Sequence, residues 1–181
     1  MTKEAFDKSM TAISRAHTEN LARLGDFAKA LQTKVDSLWS RRKDVLDQIQ
    51  KLLSLENPSG KPMDVLTIAS GETEATVELT SGDLRDKSDR SKMVVTITNT
   101  HTKNTTVGET NRNREEFVVN DLLNIDDANK TAEEVHKLED FVVCGEQFVE
   151  IYINRAMRME AEQKKMLDNI IDAPTVTDGE W

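Results

Sequence analysis

The first third of the chain carries apolar residues at the spacing of a long amphipathic helix. Stepping by seven residues from Met10 reaches an apolar residue every time except at His17. The seam defined in this way contains Met10, Leu24, Leu31, Leu38, Val45 and Leu52. Asn57-Pro58-Ser59-Gly60 then stops the pattern. We predict one helix over residues 1–56, with Thr2 as its N-cap, that is too long to cover its own apolar stripe.

Between residues 61 and 120 the apolar spacing changes from helical to alternating. Ala75, Val77 and Leu79 alternate with polar residues, and Met93–Thr98 repeats the alternation with β-branched residues. We therefore predict a small antiparallel β-subdomain over residues 61–120. Its weaker strand candidates are Met63–Ala69 and Glu115–Val119, its turns are Ser70-Gly71 and Ser81-Gly82, and its mobile loops are Asp83–Lys92 and Thr98–Thr106.

Helical spacing returns in the last third of the chain. Thr131-Ala132-Glu133-Glu134 has the spacing of a capping box and predicts that a second long helix, assigned to residues 127–172, is capped at Thr131. Val142 and Val149 lie on its apolar stripe and extend the predicted seam. Residues 173–181 are predicted to be an acidic, disordered tail.

The middle of this second helix is apolar on more than one face. Within Phe141–Ile153 the residues Val143, Cys144 and Phe148 add to the stripe, so this stretch requires cover from more than one side. A β-hairpin that turns at Gly145-Glu146 is the alternative interpretation of the same stretch.

These elements predict an α+β fold. Two long helices, N- and C-terminal, form a coiled coil or bundle, and a small antiparallel sheet lies between them. With 2 Trp, 1 Tyr and 5 Phe in 181 residues, the core must be largely aliphatic. The order of elements resembles prefoldin-like chaperone subunits, in which two helices pair and the sheet drives assembly. This resemblance is one of architecture, carries no motif and does not imply function.

Charge and cysteine content narrow the class of protein. The net charge is -9, and by our count along the sequence residues 121–181 carry all of that excess. This acidic third argues against non-specific binding of nucleic acid or anionic lipid through that end. Cys144 is the single cysteine, which favours a reducing compartment. No apolar run approaches membrane-spanning length, so we expect a soluble, cytoplasmic protein without membrane partners.

Candidate metal and catalytic residues are few. His136, Asp140 and Cys144 share one helical face, and all three side chains are zinc-competent ligands, but a structural site needs a fourth. A surface His and Asp beside a buried Cys is the favoured interpretation. Glu133 and His136 form half of a di-iron signature whose other half is missing. We therefore predict no cofactor, no metal site and no enzymatic activity.

Two basic clusters with an aromatic residue are candidates for nucleic-acid binding. Trp39 lies beside Arg41, Arg42 and Lys43, and a second cluster contains Arg112 and Arg114. Because Asp44 and Asp47 neutralise the first cluster, a solvated helix face is the favoured interpretation. His17 in the seam is expected to fix helix register, with pH sensing as the alternative.

We infer the function from two observations: the apolar seam is longer than one chain can cover, and the sequence contains no recognisable catalytic motif. We expect a non-catalytic, self-associating protein-protein interaction factor: an adaptor, assembly factor, chaperone or inhibitor. Its expected partners are a second copy of itself and another, unidentified protein. A nucleic-acid-associated accessory protein is the alternative, and a metal-dependent enzyme is less favoured. A motif-poor acidic protein of this size is typical of a phage or bacterial accessory factor.

Overall fold

The computed structural model describes residues 1–57, 59, 63–80, 92–119 and 122–172. Two long helices flank a four-stranded antiparallel sheet, which confirms the predicted α+β fold. The elements are helix α1 (Lys3–Glu56), strands β1 (Val65–Ser70), β2 (Thr73–Thr80), β3 (Lys92–Asn99) and β4 (Thr105–Asn111), and helix α2 (Ile125–Asp172). The predicted turn at Ser81-Gly82, the predicted loop at Asp83–Lys92 except for Lys92, and the predicted tail at 173–181 lie outside the described residues.

The sheet is a meander in the order β1-β2-β3-β4, with one face buried. Gly71 has φ 61°, the left-handed conformation that glycine favours, in the two-residue loop that joins β1 to β2. Alternation along the first three strands directs the same set of side chains inward. The buried set is Leu66, Ile68, Ala75, Val77, Met93, Val95 and Ile97. The sheet therefore has one apolar face to pack against a helix.

Strand β4 was missed by the sequence analysis. The predicted loop Thr98–Thr106 is shorter than expected because β3 ends at Asn99 and β4 begins at Thr105, and the predicted strand Glu115–Val119 is irregular. At Gly108 a Cβ atom would lie 2.5 Å from the carbonyl oxygen of Asp140 and 2.6 Å from the Cα of Phe141. Because the α2 backbone occupies the space that an apolar side chain fills on the other strands, β4 lacks the alternation that marks a strand.

Helix α2 is the central layer of the fold. Both the sheet and α1 pack against α2, and Arg42 of α1 also bonds to β4. Gly145 of α2 lies against Val45 and Ile49 of α1, whereas Phe141 lies against β4. The stretch Phe141–Ile153 is helical, so the hairpin alternative is wrong. The sheet and α1 both cover it, but Val143 and Ile153 are 42% and 44% exposed, so the predicted cover does not reach every apolar face.

The two helices run in the same direction across their contact. Lys34 pairs with Glu139 at 3.0 Å near the start of the contact, Arg41 pairs with Glu146, and Glu56 accepts a hydrogen bond of 2.5 Å from the Tyr152 hydroxyl at its end. Burial and the bond to Glu56 raise the pKa of Tyr152 to about 12. Since later residues of α1 meet later residues of α2, each helix extends beyond the contact at a different end of the molecule.

Both helices begin with a side-chain cap. Thr2 accepts from the backbone N–H of Ala5 at 3.1 Å, as predicted. Helix α2 starts at Ile125, and its cap is Asn124, whose Oδ1 accepts from the backbone N–H groups of Asp126 and Asp127 at 3.0 and 3.3 Å. The predicted cap at Thr131 is wrong: that residue lies inside the helix, because Asn124 accepts from the free N–H groups seven residues earlier and the acidic first turn favours a helix start there.

Candidate functional site

The predicted seam divides into a buried part and an exposed part. Its buried members are Leu38, Val45, Leu52, Val142 and Val149. Leu24 and Leu31 are half-buried, Met10 is 44% exposed and His17 is exposed. The middle of the seam is therefore covered within one chain, and its N-terminal part remains uncovered.

The uncovered part belongs to a stretch of α1 that we call the N-terminal arm, residues 3–30. No residue of this arm is buried, and residues 3–23 are all exposed. Its large apolar side chains fall on one stripe at helical spacing: Phe6, Met10, Ile13, Leu21, Leu24 and Phe27. An exposed ion pair between Lys8 and Glu4, 3.2 Å long, lies off this stripe. The arm is thus an amphipathic helix whose apolar face is not covered by any of the described residues of its own chain.

A shorter overhang, the C-terminal arm, consists of residues 156–172 of α2. Residues 156–171 are all exposed, including Met157, Met166, Leu167, Ile170 and Ile171. Its base touches the sheet where Arg158 donates to the Ser70 hydroxyl at 2.8 Å. Across the described part of the chain, no helix is both long and apolar enough to cross a membrane.

The structure brings together the two basic clusters that are 70 residues apart in the sequence. Trp39 and Arg42 of α1 and Arg114 of the irregular segment after β4 line a cavity of about 190 Å³. Phe117 packs edge-on to Trp39, with 6.2 Å between ring centroids. Lys92, Glu109 and Lys137, which the sequence analysis did not single out, complete its charged lining. We call this space the cationic cavity.

Arg42 is the buried centre of the cationic cavity. Its side chain is 5% exposed, its Nε donates to the Thr110 hydroxyl at 3.0 Å and its Nη2 donates to the Asn111 carbonyl at 2.6 Å. The guanidinium carbon lies 4.5 Å from the centre of the Trp39 ring. Burial, with a smaller contribution from Arg114, lowers the pKa of Arg42. The solvated helix face predicted for this residue is therefore wrong.

A sequence signal for this burial existed. Arg42 lies seven residues after Val35, four after Leu38 and three before Val45, all of which are buried. That spacing places it in the middle of the apolar stripe. Its neighbour Arg41 points elsewhere and pairs with Glu146 on α2. The residues Lys92 and Lys137 carried no comparable signal, because β3 and α2 meet α1 at this point through tertiary packing.

Acidic side chains neutralise some of these cations. Lys92 pairs with Glu109 at 3.1 Å, and Arg114 pairs with Glu134. Within the described residues, no carboxylate lies within 4.0 Å of Arg42 or of Lys137. A second, more open cavity of about 640 Å³ shares Trp39, Arg42 and Arg114 with the first. Its other charged lining residues are the cations Lys43 and Arg112 and the acids Asp36, Asp47 and Glu116. The excess of positive charge is thus in the smaller, cationic cavity, in a protein whose net charge is negative.

The metal candidates are dispersed. His136 and Asp140 are exposed and Cys144 is buried, which is the favoured interpretation of this trio. Burial, and to a lesser degree Asp140, raises the pKa of the Cys144 thiol, so the thiolate that a metal or a nucleophilic mechanism needs is disfavoured. Among the described residues, no group of three or more potential metal ligands comes together.

Comparison with protein-family models, with curated proteins and with solved structures finds no match to this chain. The arms and the cationic cavity are therefore the features of this chain that bear on its function.

Proposed function

We propose that this protein is a non-catalytic, self-associating protein-protein interaction factor, and that the N-terminal arm of α1 is its association surface. The observation that carries the proposal is the continuous apolar stripe of that arm, which no other part of the described chain covers. The class includes adaptors, assembly factors, chaperones and inhibitors.

The arm gains stability from a partner helix. Helical stability in proteins comes mainly from the packing of an amphipathic face. Burying one large aliphatic or aromatic side chain is worth about 1.5–3 kcal/mol. Phe6, Ile13 and Phe27 are each more than half exposed, so a partner that covers them gains several such increments. The stripe from Phe6 to Phe27 extends roughly 32 Å at 1.5 Å per residue, which is long enough for a specific helix-to-helix contact.

A second copy of the chain is the simplest partner. It supplies the same stripe, and a two-fold contact between identical arms is self-complementary. His17 lies within that stripe, where a single polar residue favours the registers in which its imidazole has a partner or water. The middle of the seam and Phe141–Ile153 do not contribute, since α1, α2 and the sheet already cover one another there.

The test is light scattering at micromolar concentration on the full chain and two variants. Ile13→Asp places a charge in the stripe. Thr11→Asp adds the same charge about 160° around the helix. We expect the wild type and Thr11→Asp to be dimers or larger, and Ile13→Asp to approach the 20.4 kDa monomer with its helical circular dichroism retained. A monomeric wild type would refute self-association, and equal behaviour of the two variants would remove the stripe from it.

A further inference from the structure

The cationic cavity holds positive charge that the described chain does not balance. Four cations line it, namely Arg42, Lys92, Arg114 and Lys137, against one acid, Glu109. Lys92 forms an ion pair with Glu109, and Arg114 forms an ion pair with Glu134, which lies just outside the lining. Arg42 and Lys137 have no carboxylate partner within the described residues. Two positive charges, one of them buried, are therefore available to a ligand.

Burying an uncompensated guanidinium is costly. The two hydrogen bonds of Arg42 go to a neutral hydroxyl and a neutral carbonyl, which solvate the charge without cancelling it. Arg114 stands close enough to add repulsion. An apolar side chain of similar length would pack on Trp39 without these costs. A bound anion would offset both the desolvation of Arg42 and its repulsion by Arg114. The charge of Arg42 is thus suited to binding an anion.

Trp39, one of the residues that line the cavity, carries a second polar group that lacks an acceptor. The indole Nε1 of Trp39 is buried and makes no hydrogen bond to any described residue. Trp39 is 9% exposed, so its N–H is shielded from bulk water. Buried donors of this kind are normally satisfied. The indole N–H, the guanidinium and the ammonium are all donors, so the complementary ligand is an acceptor.

Charge and size together select the ligand. We propose that the cationic cavity binds the phosphate group of a small phosphomonoester, with Arg42, Lys137 and the Trp39 indole N–H as its recognition groups. A phosphate dianion matches two unbalanced cations, whereas a carboxylate matches one. A volume of about 190 Å³ accepts a phosphate group, and the adjoining cavity of about 640 Å³ offers space for the organic part. This site lies in the packed middle of the molecule and is independent of the proposed association through the N-terminal arm.

The indole N–H of Trp39 provides a direct readout. The chain has 2 tryptophans, Trp39 and Trp181, so a ¹H–¹⁵N spectrum contains two indole peaks that Trp181→Phe assigns. The titrants are inorganic phosphate, glycerol 3-phosphate and acetate, all at constant ionic strength and pH 7.5. We expect a saturable downfield shift of the Trp39 peak with both phosphates, tighter for the ester, and no saturation with acetate. The Trp181 peak is the internal reference.

Two variants attribute the binding to the cavity. Lys137→Gln removes an exposed cation without disturbing the core and should weaken phosphate binding about tenfold or more. Lys164→Gln makes the same charge change in the C-terminal arm of the same helix and should leave binding unchanged. Arg42→Gln should abolish the shift, provided that its circular dichroism is native.

Three results would overturn the assignment. An immobile Trp39 peak in 50 mM phosphate would show that the cavity does not bind this group. Equal shifts with acetate and phosphate would show that the cavity attracts any anion by charge and does not recognise phosphate. Equal weakening by Lys137→Gln and Lys164→Gln would show that the net charge of the chain, and not the cavity, determines the effect.

Discussion

The N-terminal arm and the packed middle of α1 have the same apolar period but opposite surroundings. Leu38 in the middle is 3% exposed, while Met10, four seam positions earlier, is 44% exposed. The difference arises because α2 begins at Ile125 and runs in the same direction as α1, so it covers the later part of α1 and leaves the earlier part bare. An apolar period thus predicts that a helix has a partner face without specifying the partner.

The largest expected contrast is between two phenylalanines, one in each region. Phe148 is fully buried between α2 and its neighbours, and Phe27 is 58% exposed. Phe148→Ala should lower the free energy of unfolding by about 3–5 kcal/mol, because a cavity replaces its ring. Phe27→Ala should change the free energy of unfolding of the single chain, apart from any contribution of self-association, by less than about 0.5 kcal/mol. Urea denaturation at several protein concentrations measures both. Equal losses would mean that the arm folds back onto the core.

A second contrast involves adjacent arginines within the packed middle. Arg42→Ala should cost about 2–3 kcal/mol of unfolding free energy, because it removes two hydrogen bonds from a charged donor and exposes Trp39. Arg41→Ala removes a half-exposed ion pair with Glu146 and should cost about 0–1 kcal/mol. Denaturant titration in phosphate-free buffer gives both values. A smaller loss for Arg42→Ala than for Arg41→Ala would contradict the burial of Arg42.

A third contrast compares two glycines. A Cβ at Gly108 would meet the α2 backbone, so Gly108→Ala should displace β4 and cost about 1–3 kcal/mol. At Gly25 in the N-terminal arm nothing lies within 4 Å of the corresponding position, so Gly25→Ala should stabilise the arm helix by about 0.5–1 kcal/mol. Denaturation measures the first effect and amide hydrogen exchange in the arm measures the second. Protection lost at residues 20–30 in Gly25→Ala would indicate an unseen contact there.

Local patterns determined the elements with strong periodicity. The helical seam predicted α1 to within two residues at each end, and alternation predicted β2 and β3, because both signals depend on side chains that one buried face selects. The multi-faced stretch around Phe148 correctly indicated cover from two sides. It could not indicate that the sheet and α1 provide this cover.

Tertiary structure alone decided the remainder. Strand β4 packs against the backbone of α2 at Gly108. Because glycine has no side chain, this contact produces no apolar alternation in the sequence. The cationic cavity forms only where α1, β3, β4 and α2 meet around Arg42. Its lining residues are up to about a hundred residues apart in the sequence. The exposure of the N-terminal arm depends on where α2 starts and which way it runs. Direction and register of packing arise from contacts between distant segments, so the apolar period of either segment alone does not contain them.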